Sequence, residues 1–223
     1  MKIGVIAGTP VDTRMGAEYV QRFGHSVACR ASSPSPDIQA RMQRLYPQEL
    51  TEQVAVLCSE LAEEGVDGIY VNCNSMTAAI DLPYVRSHVK IKNIVTPFDV
   101  YTECAGRYNR LGILAANGQS LAAIEKAIAQ ENPECMTFGA GLMSLVNAIE
   151  RQENPADIIH TQGIEELLNG FLKIGLDALI LGCTHFPYIA DEIAGIFPLP
   201  IIDPNYRMLT MLVERAGKNM SAC

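Results

Sequence analysis

The chain repeats part of its own sequence. The stretch Ile3–Ala7 is matched by Leu111–Ala115, and Gly65–Asn74 is matched by Gly175–Thr184. The offsets, from position 3 to 111 and from position 65 to 175, are 108 and 110 residues. Two matched blocks at nearly one offset indicate a duplicated structural unit, which restricts the fold more than any other feature of the sequence.

The repeated blocks predict strands, and the segments before the second block of each pair predict helices. Each block is a short aliphatic run that ends in a small or polar residue, which is typical of a buried parallel strand. Helical spacing over Glu49–Glu64, with Thr51 as candidate N-cap, ends at Gly65, and a second helix over Thr161–Ile174 ends at Gly175. The sequence therefore predicts an α/β fold of two pseudo-symmetric domains, each a parallel sheet flanked by helices.

The repeat also suggests domain boundaries. We predict a first domain of residues 1–98 plus 206–223, to which a C-terminal helix returns, and a second domain of residues 99–205. A length of 223 residues with 48% hydrophobic and 19% charged side chains excludes a largely disordered chain. Because ligands bind at the carboxyl ends of parallel strands, we expect the active site at those ends of the predicted sheets.

Net charge, hydropathy and cysteine spacing restrict the classes of partner that the protein can bind. A net charge of −8 and a pI near 5.0 argue against nucleic acid. No apolar run approaches the roughly 18 residues of a membrane span, and the first apolar run is too short for a signal peptide, so we expect a cytoplasmic protein without membrane contact. The seven cysteines form no C-x-x-C pair, which argues against zinc ribbons and thioredoxin-type sites. We expect reduced thiols and no bound metal.

Two of the cysteines occupy equivalent positions of the repeat. Cys73 and Cys183 each follow a predicted strand and precede a loop or helix, whose start would favour the thiolate. Two equivalent thiols related by a pseudo-twofold suit stereoinversion, because one thiolate removes a proton from a carbon while the opposing thiol supplies one from the other face. The same turns carry polar side chains that can hold a carboxylate or stabilise an enolate, namely Asn74, Ser75 and Thr184.

Packing is the competing explanation for every thiol. Most single cysteines are buried as small hydrophobic residues, and on this ground the remaining five are predicted to have no chemical role: Cys29, Cys58, Cys104, Cys135 and Cys223. His185 follows the Cys183 turn and is a candidate to assist it. The matched Asp67 and Asp177 have a simpler explanation as polar residues that precede strands.

The two cysteine motifs resemble those of a known family. Leu181–Pro187 is similar to the second cysteine motif of glutamate racemases, and Val71–Ser75 to the first, which usually reads Cys-Asn-Thr. The chain thus resembles the aspartate/glutamate racemase superfamily, which works without pyridoxal phosphate. The resemblance implies two similar α/β domains with the active site between them, a homodimer, no cofactor, and a small anionic amino acid as substrate.

The resemblance also assigns roles to residues. It implies that Cys73 and Cys183 are catalytic. The residues implied to assist them are His185, Asp12 and Glu150. The residues implied to bind substrate are Gly8, Thr9, Asn74, Ser75, Asn117 and Thr184. Two loops depart from the family pattern: Gly8–Asp12 stands where glutamate racemases have Asp-Ser-Gly, and Ala115–Ser120 lacks the threonines of aspartate racemase relatives.

These observations favour an amino-acid racemase acting on aspartate, glutamate or a close relative through two thiols. Other reactions of the superfamily remain open, among them hydantoin racemisation and maleate cis–trans isomerisation. Arylmalonate decarboxylases use one cysteine, so the presence of two argues against that branch. A non-catalytic sensor of small ligands is the alternative from another functional class, and turnover of any substrate would exclude it.

Overall fold

Two four-stranded parallel sheets form the framework of the protein, in a computed structural model that describes residues 1–217. The strands of the first sheet are β1 (Lys2–Ala7), β2 (Ser26–Ala31), β3 (Gly68–Asn72) and β4 (Ile94–Val95). The strands of the second are β5 (Arg110–Ala115), β6 (Met136–Gly141), β7 (Ala178–Gly182) and β8 (Ile201–Ile202). The orders are β2-β1-β3-β4 and β6-β5-β7-β8, and every pairing is parallel. The identical order confirms the predicted α/β fold and its duplication.

Helices flank both sheets. Those of the first half of the chain are α1 (Pro10–Arg22), α2 (Pro36–Leu45), α3 (Pro47–Glu63), α4 (Asn74–Ala79), α5 (Leu82–His88) and α6 (Pro97–Ala105). Those of the second half are α7 (Gly118–Glu131), α8 (Met143–Glu150), α9 (Pro155–Thr161), α10 (Ile164–Ile174), α11 (Ala190–Ile196) and α12 (Pro204–Arg215). A 3-10 helix, Phe186–Ile189, precedes α11. Within residues 1–217, none of the helices combines the length and hydropathy that a membrane span requires.

The chain divides into two compact units. The first comprises Met1–Val100 together with the segment that begins at Asn205, and the second comprises Tyr101–Pro204. Residues 218–223 of the predicted first domain, with Cys223, lie outside the described residues. Helix α12 packs on the first unit, because Asn93 Nδ2 donates to the Leu212 carbonyl at 2.9 Å.

The aspartates that precede β3 and β7 tie each sheet together. Asp67 Oδ2 accepts a hydrogen bond from the Lys2 amide at 2.9 Å, at the first residue of β1. Asp177 Oδ2 accepts from the Arg110 amide at 2.9 Å and from the Asn109 amide at 2.8 Å, at the start of β5. The matched aspartates therefore fix the start of the first strand in each unit, which explains why both copies of the repeat carry one.

Glycine ends the helix before each of these aspartates. Gly65, after α3, has φ +75°, and Gly175, after α10, has φ +78°. Side chains other than glycine rarely adopt this left-handed conformation, so both predicted helix ends are confirmed. Helix α3 packs its apolar stripe into the core of the first unit, where Leu50, Val54, Cys58 and Leu61 are at most 1% exposed.

Two details of the predicted helices were wrong. Helix α3 begins at Pro47, whose missing amide proton costs nothing in the first turn, and Thr51 lies inside the helix rather than at its N-cap. Its hydroxyl donates to the Pro47 carbonyl at 2.8 Å. The predicted helix over 161–174 is divided, because Gly163 has φ +65° and separates α9 from α10.

Candidate active site

Cys73 lies at the carboxyl end of β3, in the centre of the first sheet. It is the N-cap of α4, is 5% exposed, and its sulfur accepts a hydrogen bond from the Met76 amide at 3.4 Å. Asn74, the next residue, is buried as well. The turn from strand to helix thus holds the thiol in a fixed orientation with a backbone donor directed at the sulfur.

A side chain from another helix reaches the Cys73 turn. Gln43, buried on α2, donates from Nε2 to Ser75 Oγ at 2.8 Å. Ser75 Oγ lies 3.6 Å from Cys73 Sγ. Because Ser75 accepts from Gln43, its own proton is available for the sulfur, and this order of donors favours the thiolate of Cys73. Sequence reasoning missed Gln43; its spacing of four from Gln39, directly after the loop that follows β2, is the signal that marks both residues.

Gly8 lies beside the same thiol, at the end of β1. A Cβ atom on Gly8 would be 3.2 Å from Cys73 Sγ and 3.2 Å from Gln39 Cγ. That separation is shorter than ordinary van der Waals contact, so the missing side chain lets Cys73 and Gln39 approach the strand end. The predicted substrate-binding residue Gly8 therefore adjoins the candidate catalytic thiol.

Asp12 and Thr9 lie in the turn that follows β1. Thr9 is the N-cap of α1, and its hydroxyl oxygen accepts from the Asp12 amide at 3.2 Å. Asn72, which directly precedes Cys73, donates to Asp12 Oδ1 at 3.2 Å and to its carbonyl at 3.0 Å. Gly16 makes room for this contact, since a Cβ there would be 2.7 Å from Asn72 Nδ2. Asp12 is thus connected to the Cys73 turn through Asn72.

In the second unit, Cys183 follows β7 at the matching position. It is buried, and its sulfur lies 3.6 Å from Nδ1 of the buried His185. The other ring nitrogen of His185, Nε2, lies 3.0 Å from Glu150 Oε1, so its N–H donates to the carboxylate. A thiol, an imidazole and a carboxylate therefore form one hydrogen-bonded series inside the second unit.

The turn after Cys183 differs from the prediction of a helix start. The chain turns and then forms the 3-10 helix Phe186–Ile189, with the Phe186 amide donating to the Cys183 carbonyl at 3.0 Å. Pro187 has no amide proton and so cannot donate within this segment. Cys183 consequently lacks the helix N-terminus that Cys73 has, and His185 is the polar group beside its sulfur.

The remaining predicted ligand-binding residues of the second unit lie nearby in the fold. Thr184 is 5% exposed, next to Cys183. Asn117 follows β5 and is the N-cap of α7, where its Oδ1 accepts from the Ser120 amide at 2.9 Å. The carboxamide oxygen of Asn117 therefore stabilises the helix, and its predicted contact with substrate stays a prediction.

Both cysteine turns share one arrangement with different chemistry. In each, a polar side chain two residues after the cysteine lies 3.6 Å from the sulfur and is held by a residue from a different helix. Around Cys73 the series ends in a neutral carboxamide, Gln43, whereas around Cys183 it ends in the carboxylate Glu150. The first series can stabilise a thiolate, and the second can also accept a proton on the imidazole.

Three other cysteines are in surroundings that suppress their reactivity. Burial raises the pKa of Cys58 to about 12. Burial is also the main cause that raises the pKa of Cys135, and partial desolvation of the sulfur raises the pKa of Cys29 although this residue is exposed overall. A thiol that keeps its proton is a poor nucleophile and base. Across residues 1–217, no group of three or more His, Cys, Asp or Glu side chains is placed to hold a metal ion.

Known proteins with similar sequences are glutamate racemases. That of Latilactobacillus sakei is 26% identical over 159 residues, which cover 69% of this chain and 57% of the relative. That of a Picosynechococcus species is 29% identical over 160 residues, covering 70% of this chain and 56% of the relative. The matched regions thus span a little over half of the length of these curated relatives.

Solved structures show the same fold. Glutamate racemase from Bacillus anthracis has a TM-score of 0.77 at 20% identity, covering 96% of this chain and 81% of its own. Aspartate racemase from Picrophilus torridus has a TM-score of 0.71 at 18% identity, covering 99% and 96%. Allantoin racemase from Klebsiella pneumoniae has a TM-score of 0.71 at 17% identity, covering 99% and 90%.

One family model accounts for most of the chain. The model described as Asp/Glu/Hydantoin racemase matches residues 51–212. This stretch contains both cysteine turns and the hydrogen-bonded residues His185 and Glu150. Since this match extends over more than half of the sequence and agrees with the duplicated sheets, the chain belongs to the Asp/Glu/Hydantoin racemase family.

Proposed function

We propose that the protein is a cofactor-independent amino-acid racemase, with aspartate, glutamate or a close relative as substrate. The observation that carries the proposal is the matched pair of cysteine turns, each with a polar side chain 3.6 Å from its sulfur. The similarity to glutamate racemases supports the reaction class, and the small anionic substrate follows from the names of those relatives.

In the proposed reaction, the two thiols serve opposite faces of the substrate α-carbon. One cysteine, as thiolate, takes the α-proton and becomes a thiol, which leaves an enolate at the substrate carboxylate. The other cysteine, as thiol, gives its proton to the opposite face and becomes a thiolate. The proton count is conserved, the configuration is inverted, and the reverse reaction exchanges the two roles.

The groups bonded to each sulfur support these roles. The Met76 amide and the Ser75 hydroxyl, both within hydrogen-bond distance of the sulfur, are the groups proposed to stabilise a Cys73 thiolate. His185, held by Glu150, is placed to exchange a proton with Cys183. The α-proton is a weak acid, so the substrate carboxylate also needs fixed donors, for which Asn74, Ser75 and Thr184 are the proposed residues.

Isotope exchange in heavy water tests the proposal. Each enantiomer of aspartate, glutamate and other common amino acids is incubated separately, and the deuterium in substrate and product is followed by mass spectrometry. Two thiols that do not share a proton deliver solvent deuterium to the product before the unreacted substrate acquires any. A protein that exchanges none of these amino acids contradicts the proposed substrate class.

Matched variants test the two thiols. We expect Cys73→Ala and Cys183→Ala each to lower turnover by roughly a hundredfold or more, the range for loss of an acid/base group. Cys29→Ala, which removes an exposed thiol on β2, is the control and should keep full turnover. Full activity of either cysteine variant contradicts the mechanism. A covalent adduct on Cys73 would instead favour maleate cis–trans isomerisation.

The homodimer implied by the resemblance and the cytoplasmic location expected from the hydropathy of the sequence also belong to the proposal. Light scattering after size-exclusion chromatography tests the first, since a molar mass of one chain contradicts it. Fractionation of the source cells tests the second.

A further inference from the structure

Gln39 has a buried polar side chain whose carboxamide nitrogen makes no hydrogen bond within residues 1–217. It lies on α2, four residues before Gln43, and is 5% exposed. Its Oε1 accepts a hydrogen bond from Ser32 Oγ at 3.0 Å. Its Nε2 is buried and has no hydrogen-bond partner among residues 1–217. A buried donor without an acceptor destabilises the fold, so its presence here calls for an explanation.

The position of Gln39 relative to Cys73 supplies one. A Cβ atom added to Gly8 would lie 3.2 Å from Cys73 Sγ, 3.2 Å from Gln39 Cγ and 3.4 Å from Gln39 Cδ. The carboxamide of Gln39 and the Cys73 thiol therefore both lie against Gly8 at the carboxyl ends of β1 and β3, where ligands of parallel sheets bind.

The loop before α2 holds Gln39 in this position. Gln53 Nε2 donates to the Ser32 carbonyl at 3.0 Å. The backbone amide of Gln39 donates to the Ser35 carbonyl at 2.9 Å, in the first turn of the helix. These hydrogen bonds hold the loop and the start of α2 without using Gln39 Nε2. The side chain therefore has a fixed position before a ligand binds, which lowers the entropic cost of binding.

We propose that Gln39 is a substrate-binding residue, whose Nε2 donates to a carboxylate oxygen of the amino acid bound beside Cys73. The inference rests on the proposed racemase function and extends it to a residue outside the cysteine turns. A neutral amide donor suits this place, since it holds an anionic oxygen without placing a full positive charge beside the thiol that must take up and release a proton.

Two substitutions separate binding from folding. Gln39→Met has a similar length and no donor, and Gln39→Glu keeps an oxygen for Ser32 while replacing the donor by a charged acceptor. With aspartate and glutamate, we expect Gln39→Met to raise KM about tenfold, the loss of one buried hydrogen bond, while kcat changes by less than about threefold. Gln39→Glu should raise KM further. Gln21→Glu, an exposed position on α1, is the control and should leave KM unchanged.

Further measurements make the test independent of turnover. The same variants are titrated with aspartate, glutamate and succinate, and binding is followed by the shift in melting temperature. If wild-type protein binds these dicarboxylates but racemises nothing, the proposed function fails, and the loss of binding in the Gln39 variants still tests this inference. An alanine arm separates the two carboxylates: if Gln39→Met affects alanine as strongly as aspartate, Gln39 holds the α-carboxylate, and otherwise the side-chain carboxylate.

Clear outcomes would overturn the inference. They are an unchanged KM and melting-temperature shift in both variants, or a Gln39→Glu variant that binds dicarboxylates as tightly as the wild type. A merely structural residue would lower the melting temperature of the ligand-free protein and reduce every kinetic parameter together. We expect the ligand-free melting temperature to stay within a few degrees, because the donor that is removed has no partner among the described residues and, in Gln39→Met, the Ser32 hydroxyl can turn to the Ala7 carbonyl 3.2 Å away.

Discussion

His185 Nε2 lies 3.0 Å from Glu150 Oε1, across 35 residues of sequence. The carboxylate accepts a hydrogen bond from the N–H of this nitrogen. The other ring nitrogen, Nδ1, therefore faces the sulfur of Cys183 at 3.6 Å. A neutral ring held in this way presents an acceptor to the thiol, and the nearby negative charge stabilises the protonated ring. We therefore expect Glu150 to act on Cys183 through the histidine, as a positioning residue.

Replacing this carboxylate should lower turnover without loss of folding. We expect Glu150→Gln to decrease kcat by roughly ten- to a hundredfold, the usual range for a partner that orients a functional histidine, with a smaller effect on KM. The control is Glu153→Gln, whose carboxylate pairs with Arg151 at the surface. Steady-state kinetics in both directions is the measurement, and equal kcat values for the two variants would refute the role of Glu150.

The Ser75 hydroxyl should matter through its two neighbours. Ser75→Ala removes the group between Gln43 and Cys73, and Gln43→Met removes the donor that fixes the Ser75 hydroxyl. We expect each to reduce turnover about tenfold and the double variant to be little worse, because residues of one hydrogen-bonded series do not add. Kinetics of the three variants measures this, with Ser59→Ala on α3 as the control. Additive losses would contradict a shared route to Cys73.

The aspartates at the strand starts should act on stability and not on catalysis. Asp177→Ala removes the acceptor of two backbone amides and Asp67→Ala the acceptor of the Lys2 amide. At about 1–1.5 kcal/mol for each such bond, we expect the free energy of unfolding to fall by roughly 2–3 kcal/mol for Asp177→Ala and by at least about 1 kcal/mol for Asp67→Ala. Urea denaturation measures the losses, with the exposed Glu134→Ala as reference. An unchanged free energy of unfolding in either variant would contradict the bond pattern.

The buried Cys58 should weaken the fold at alkaline pH. Burial raises its pKa from the ordinary value of 9.0 to about 12. Below pH 9 the thiol is protonated in both states and costs nothing, whereas between pH 9 and 12 only the unfolded chain gives up the proton. The free energy of unfolding should therefore fall by up to about 1.4 kcal/mol for each pH unit in this window from Cys58 alone.

Urea denaturation at several pH values between 8 and 11 measures this slope. Cys58→Ala should be less stable at pH 8, because it leaves a small cavity, but its stability should decline less steeply as the pH rises. Identical slopes for the two proteins would show that the Cys58 proton does not contribute.

The sequence alone determined the fold class, the family and the helix ends at Gly65 and Gly175, because these follow from local rules. An aliphatic run and a glycine after a helical pattern are properties of neighbouring residues, as are the pairs of Cys73 with Ser75 and Cys183 with His185, and the repeat is found by comparing the sequence with itself. The start of α3 and the turn after Cys183 were missed, since the proline at each place alters the backbone bonding that the apolar pattern does not record.

Only the tertiary structure decided which distant side chains join the cysteine turns. Gln39 and Gln43 reach Cys73 and Ser75 because β1, β2 and β3 are parallel neighbours, so the segments after their carboxyl ends meet at one edge of the sheet. Strand order depends on pairing between segments far apart in the chain, and no local pattern in α2 specifies it. The two matched cysteine turns were therefore readable from the sequence, whereas the side chains of α2 that lie beside the first of them became visible only when the sheet was assembled.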